Sequence, residues 1–165
     1  MKAIVAVDQA WAIGREGRLL CPISADLRRF KELTLGHPVI LGRKTLSTFP
    51  GGRPLPGRRN LILSRSPGFR VEGAEVFVDQ EALLAAAPDD SVVIGGESIY
   101  RALLDFCDTV YVTKILRSFP ADAWFPDLDA APDWSAAGAE PPLEEKGVAF
   151  QYVTYARTAP PRGRD

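Results

Sequence analysis

Apolar residues fall in two recurring arrangements along this chain. Short runs rich in Val, Ile, Tyr and Phe predict strands over residues 3–7, 39–41, 60–63, 75–78, 92–94, 110–115 and 148–155. Two of these, within PVILG and VVIGG, are continuously apolar, the pattern of strands covered on both faces of a parallel sheet. Segments of helical period predict helices over residues 25–35, 43–47, 80–86 and 97–104. Ser24 stands where an N-cap of the first helix belongs, and Gly36 followed by His37-Pro38 ends it.

The order of these elements predicts an α/β fold, a single domain over residues 1–158. Its centre is a mixed, mostly parallel sheet of about eight strands flanked by about four helices. No helical pattern separates the last two strands, only a long stretch containing Pro, Asp and Trp, so they are expected to pair antiparallel as a C-terminal edge. Residues 159–165 (APPRGRD) offer little apolar surface to bury and are expected to be disordered. Residues 50–59 (PGGRPLPGRR) form a loop of Pro, Gly and Arg, the kind of segment on which a rigid sheet carries binding groups.

Composition narrows the possible partners. A chain of 165 residues and 18.0 kDa is sized for one core. Twenty Lys and Arg against 21 Asp and Glu leave a net charge of −1, without the basic excess that nucleic acid or an anionic membrane demands. One His and two Cys are too few for a four-ligand zinc site, so no metal is expected. Cys21 and Cys107 form no CxxC pair, which suits a reduced cytoplasmic protein. No stretch reaches the roughly 18–20 apolar residues of a membrane span, and MKAIVAVDQAW reads as a strand, not a secretory signal. A cytoplasmic monomer is expected.

Two joints run from an apolar strand through glycine into a helix: Val92 to Tyr100 (VVIGGESIY) and Val39 to Thr45 (VILGRKT). Each alone reads as a tight turn. Together, with Arg43 and Lys44 at one helix start, they point to a dinucleotide phosphate site, because a helix N-terminus offers free N–H groups to an anion. Neither matches G-x-G-x-x-G or G-x-x-x-x-G-K-[ST].

Asp26 shares a helix face with Phe30 and Leu33 and is flanked by Leu27. A carboxylate on an apolar face is costly to ionise and suited to moving protons; the alternative is an acid complementing the helix dipole. His37 reads as a turn residue and Cys21 as a small apolar filler or a reactive thiol. Glu144, Glu145 and Lys146 read as a solvated approach to a hairpin. Arg58 and Arg59 read as a carboxylate clamp or as surface charge.

These motifs, in this order, resemble the dihydrofolate reductase family from about Ala3 to Arg157. The resemblance is carried by IVAV, Ala12-Ile13-Gly14, Asp26-Leu27 with Phe30-Lys31, and Thr34 with PVILGRKT. It continues through GRPLPGRRN (52–60), Ile62-Leu63-Ser64, VIGG with Ile99-Tyr100, Thr113, and Asp122 with Phe125-Pro126. It implies reduction of 7,8-dihydrofolate, with NADPH delivering hydride to pterin C6 and Asp26 assisting protonation of N5, Thr113 sharing its hydrogen bonds. Implied substrate contacts are Val5, Ala6, Leu27, Phe30, Phe49, Leu55, Ile94 and Tyr100, with Arg58 on the glutamate α-carboxylate. Implied cofactor contacts are Ala6, Ile13, Gly14, Leu19, Gly42, Leu63, and Gly95 to Ile99 (Gly95, Gly96, Glu97, Ser98, Ile99), with a cis Gly95-Gly96 bond. Arg43, Lys44, Thr45, Ser64 and Arg65 would surround the adenosine end, and three cations there favour NADPH over NADH. The loop from Gly14 to Leu20 would close over the nicotinamide.

The chain departs from the family at Cys21 and Leu46, where a Trp is usual, and in a Phe49–Gly52 loop that is a residue longer than in short bacterial members. Two other readings share the motifs: a reductase of another pterin or of a riboflavin-pathway pyrimidine, and a nucleotide-binding module without catalysis. Asp26 together with Arg58 favours a 2-amino-4-oxo ring joined to a carboxylate tail.

Overall fold

A computed structural model describes residues 1–164, and the last residue of the expected tail, Asp165, lies outside the described residues. The first half of the central sheet is parallel. It comprises β1 (Lys2–Val7), β4 (Val39–Gly42), β5 (Asn60–Leu63), β6 (Ala74–Phe77) and β7 (Val92–Gly95), all within one residue or so of the expected runs. These strands stand in the order β1-β7-β4-β5-β6. On the other side of β1 lies β8 (Thr109–Ile115), also parallel, and then β12 (Val148–Arg157), antiparallel to β8 as expected. Beyond β12 is β10 (Trp134–Ala139), while the short β11 (Leu143–Glu145) pairs with the start of β12.

β4 and β7 are buried along their whole length, which is why their sequences are apolar without alternation. Successive residues of β4 feed different cores. Ile40 packs with α3 (Gln80–Ala86) and α4 (Glu97–Leu103) through Leu83, Ile99 and Leu103. Val39 and Leu41 pack on the opposite face with Phe30 and Leu33 of α1 (Ser24–Thr34) and Leu46 of α2 (Arg43–Leu46).

A second, three-stranded sheet joins β2 (Ala12–Arg15), β3 (Arg18–Leu19) and β9 (Ala123–Trp124). The segment expected to be a lid loop is thus largely a hairpin. Glu16 and Gly17, with φ of 52° and 76°, make its turn, and the Asp122 carboxylate accepts the Glu16 N–H at 2.9 Å.

Three local readings need correction. Ser24 is the first residue of α1, not its cap; Ile23 is the cap, and no side chain of the helix satisfies the free N–H groups there. Ile23 holds that place because it is buried with Ile115 and Phe150. Glu145 is not a solvated surface charge: its carboxylate accepts the N–H groups of Ser24 at 2.7 Å and Ala25 at 3.2 Å. β10 lies outside β12, so β10 and not β12 forms the edge; its exposed WSAAGA pattern, bulged between Ala136 and Gly138, carries little strand signal.

Residues 159–164 run past the end of α4. There the Arg162 N–H meets the Asp105 carbonyl at 2.8 Å and its guanidinium lies over the Phe106 ring.

Candidate active site

In an open α/β sheet, ligands bind beyond the carboxyl ends of the strands, where neighbouring crossovers part to either side. Here those ends bring together Ala6 of β1, Gly42 of β4, Leu63 of β5 and Gly95 of β7. Register places Ala6 opposite Thr113 of β8, and Thr113 opposite Tyr152 of β12.

α1 carries Asp26 to the same end. The Thr113 hydroxyl donates to Asp26 Oδ1 at 2.5 Å, across 87 positions of sequence. Burial is the largest influence on the carboxyl and raises its pKa above the ordinary 3.8; the Thr113 hydrogen bond and the nearby Arg29 charge oppose this without cancelling it. Arg29 is itself held, at 3.1 Å from Glu140 and 3.9 Å over the Tyr152 ring. The result is an acid that holds its proton more tightly than a surface Asp.

Phe30, Phe49, Leu55 and Ile94 gather in one apolar cluster beside Asp26's helix. Leu27 extends from that helix with 51% of its surface exposed, and Leu19 projects from β3 with 57% exposed. Tyr100 is buried, its hydroxyl donating to the Ile4 carbonyl at 2.6 Å; burial and the Asp26 charge push its pKa up. The Val5 side chain points into the core on the α4 side.

The loop after Phe49 is fastened by Asn60, a buried residue whose importance composition does not announce. Its side chain accepts from Leu55 N–H at 3.0 Å and donates to the carbonyls of Leu55 and Arg58 at 2.9 and 2.8 Å. Arg58 follows, fixed by the Pro56 carbonyl at 2.9 Å and the Thr34 hydroxyl at 3.1 Å. Among the described residues it has no carboxylate partner. Arg59 does: its guanidinium makes two hydrogen bonds to Glu75, at 2.5 and 2.8 Å. The two arginines that looked alike in sequence are therefore different, one poised and one spent.

The glycines at the other strand ends are restricted in different ways, Gly42 by a close neighbour and Gly95 by a φ of 126° that side chains rarely adopt. A Cβ on Gly42 would lie 3.0 Å from Ile99, and one on Gly95 would lie 3.5 Å from Tyr100 and 3.6 Å from the Thr45 hydroxyl. The Gly95–Gly96 peptide is cis. Arg43 stacks over Phe69 at 4.2 Å and donates to Ser66 at 3.0 Å, while Ser64 is buried and accepts from Ser66 N–H. Arg43, Lys44 and Arg65 have no carboxylate partner among the described residues. Glu97 and Ser98 open α4, with the Glu97 carboxylate accepting the Trp124 N–H at 2.6 Å and so tying β9 to that helix. Ile13 packs against the core, and a Cβ on Gly14 would meet the Arg18 carbonyl at 2.9 Å.

Three contacts escaped the sequence. Glu145 on α1, Asp122 on the Glu16 turn and Glu97 on β9 each join elements far apart in the chain, with no periodicity to betray them.

A half-buried acid at the same end of the sheet as strand-end glycines and cations without acid partners defines the class, an α/β protein with its candidate site beyond the carboxyl ends of the strands. Comparison with known proteins gives the family. The family model described as dihydrofolate reductase matches residues 1–157. The chain is 40% identical over 161 residues to dihydrofolate reductase of Mycobacterium leprae (strain TN), covering 94% of this chain and 96% of that one. It is 37% identical over 157 residues to dihydrofolate reductase type 3 of Salmonella typhimurium, covering 93% and 96%. Among solved structures it superposes on dihydrofolate reductase from Enterococcus faecalis complexed with NADP(H) and RAB-propyl, with a TM-score of 0.86, 34% identity and 96% of each chain covered. The chain belongs to the dihydrofolate reductase family.

Proposed function

We propose that this chain reduces 7,8-dihydrofolate to 5,6,7,8-tetrahydrofolate, using NADPH and one proton per turnover. The observation that carries this reading is the half-buried Asp26, held by Thr113 at the strand ends, its pKa raised by burial. NADPH, when bound, supplies the hydride that pterin C6 receives.

The residues present fit that cofactor. Gly42, Gly95 and Gly96 present backbone without side chains at the strand ends, and Arg43, Lys44 and Arg65 bring three cations without acid partners that suit a cofactor with an additional phosphate. Thr45, Ser64 and Ser98 add hydroxyls beside them, and Ala6, Ile13, Gly14, Leu19, Leu63, Glu97 and Ile99 complete the set we assign to it.

On the substrate side, Asp26 accepts from the amidine of the pterin and supports proton uptake at N5, with Thr113 fixing the rotamer of its carboxyl. Val5, Ala6, Leu27, Phe30, Phe49, Leu55, Ile94 and Tyr100 are the contacts we assign to the ring and its aromatic extension. Arg58, already oriented by Thr34 and Pro56 and free of any acid, takes the terminal carboxylate. Excluding water from the cleft strengthens each of these interactions.

All of these residues come from one chain, which we take to act as a monomer. Cys21 and Cys107 are both free thiols, which fits the reducing cytoplasm. Among the described residues no helix is long and apolar enough to cross a membrane. The test is to follow NADPH oxidation by the purified protein with dihydrofolate, then with folate, dihydrobiopterin and NADH as comparators. Faster turnover of dihydrobiopterin than of dihydrofolate would refute the substrate assignment.

A further inference from the structure

Asp26 lies in the first turn of α1, the part of a helix least held by its own hydrogen bonds. The first intrahelical bond is Leu27 N–H to the Ile23 carbonyl, so the N–H groups of Ser24, Ala25 and Asp26 have no partner within the helix. Ile23 offers no side-chain acceptor. The acceptor comes from 121 positions away, where the two oxygens of Glu145 divide between Ser24 and Ala25.

Glu145 is well placed for this. It is the last residue of β11, paired with Val148 across a tight turn in which Lys146 and Gly147 have φ of 50° and 79°. β12 then runs on to Tyr152, which lies opposite Thr113. One rigid hairpin therefore grips the helix turn that carries Asp26 and also abuts the strand that carries Thr113. The two partners of the 2.5 Å hydrogen bond are referred to the same frame.

We infer that Glu145 is a positioning residue for Asp26: by closing the amino end of α1 it holds the catalytic carboxyl in register with Thr113. This rests on the role proposed above for Asp26, but its test does not require turnover. The charged or titratable groups that face Asp26 are Arg29 from its own helix, Tyr100 from α4 and Tyr152 from β12, and none of the three hydrogen-bonds to Glu145.

The experiment titrates Asp26 directly, by carbon NMR of protein labelled at the aspartate carboxyls, with the signal assigned by its loss in Asp26→Asn. It compares wild type, Glu145→Ala, Glu145→Gln and the exposed neighbour Glu144→Ala as a control. Losing the cap loosens the turn and lets water reach Asp26, so Glu145→Ala moves the titration midpoint down by about half a pH unit. Glu145→Gln keeps one of the two acceptor oxygens and so shifts clearly less than Glu145→Ala, while Glu144→Ala stays at wild type. In turnover, kcat of Glu145→Ala falls about fivefold, the size of a lost helix cap, with Kd for NADPH unchanged. An unmoved midpoint in Glu145→Ala overturns the inference. So does an equal shift in Glu145→Gln, which would reveal a through-space charge effect in place of positioning. A wild type that titrates as described yet fails to reduce dihydrofolate would count against the proposed function alone.

Discussion

Thr113 and Asp26 meet across 2.5 Å, hydroxyl to carboxylate, and this contact joins the first turn of a helix to a strand of the sheet. Because burial raises the Asp26 pKa, its ionisation opposes folding. The stability it allows is complete below the ordinary carboxyl pKa and is lost as pH rises through the folded-state value. Asp26→Asn is therefore expected to unfold at a higher temperature than wild type in mildly alkaline buffer, with the advantage vanishing in acid. Thermal denaturation at the two pH values checks this; a variant no more stable than wild type in alkaline buffer would contradict it. Such a gain on losing a site residue is the usual trade between stability and activity.

Arg58 is held by neutral partners and has no acid of its own, whereas Arg59 is already paired with Glu75. Arg58→Leu is expected to raise KM for dihydrofolate about 10- to 100-fold, the cost of a charge-assisted hydrogen-bonded clamp, and to leave Kd for NADPH unchanged. Arg59→Leu breaks an exposed pair worth at most about 1 kcal/mol and leaves both constants near wild type. Steady-state kinetics of the two variants would refute the assignment if Arg59→Leu had the larger effect on KM.

Asn60 satisfies three backbone groups of the loop that carries Leu55 and Arg58. Asn60→Ala leaves them without partners and is expected to lower stability by about 2–4 kcal/mol. KM for dihydrofolate rises with it, since Arg58 is no longer aimed. Urea denaturation together with kinetics gives both numbers, and a variant as stable as wild type would show that the loop needs no such fastening.

The cap of α1 separates sequence reasoning from structure. If Ser24 were the N-cap, Ser24→Ala would cost about 1 kcal/mol. Since Ser24 is an exposed first-turn residue whose N–H goes to Glu145, the expected change is within about 0.5 kcal/mol. Chemical denaturation of Ser24→Ala decides between the two.

The parallel strands and all four α-helices were legible because their apolar residues stand in short runs rich in Val, Ile and Leu or recur at helical spacing. Asp26 was legible for the same reason: its spacing from Phe30 and Leu33 puts a carboxyl on an apolar face. β2, β3, β9, β10 and β11 were not. They are short, or exposed at an edge, and lack the apolar alternation that only a half-buried strand needs. Ser24 has the chemistry of a cap, but the apolar socket formed by Ile115 and Phe150 draws Ile23 into that position. Glu145, Asp122 and Asn60 act through backbone groups, which every residue carries. Nothing in a partner's side chain marks it as their target.

The central claim is that Asp26 governs proton supply to the pterin, and the most direct measurement is the single-turnover rate of hydride transfer in wild type and Asp26→Asn across the pH range. At neutral pH the variant is expected to be slower by about 100-fold or more, with unchanged NADPH binding, and to recover partly in acid, where the substrate arrives already protonated. A variant that matches wild type at neutral pH, or whose deficit is the same at every pH, would contradict the account.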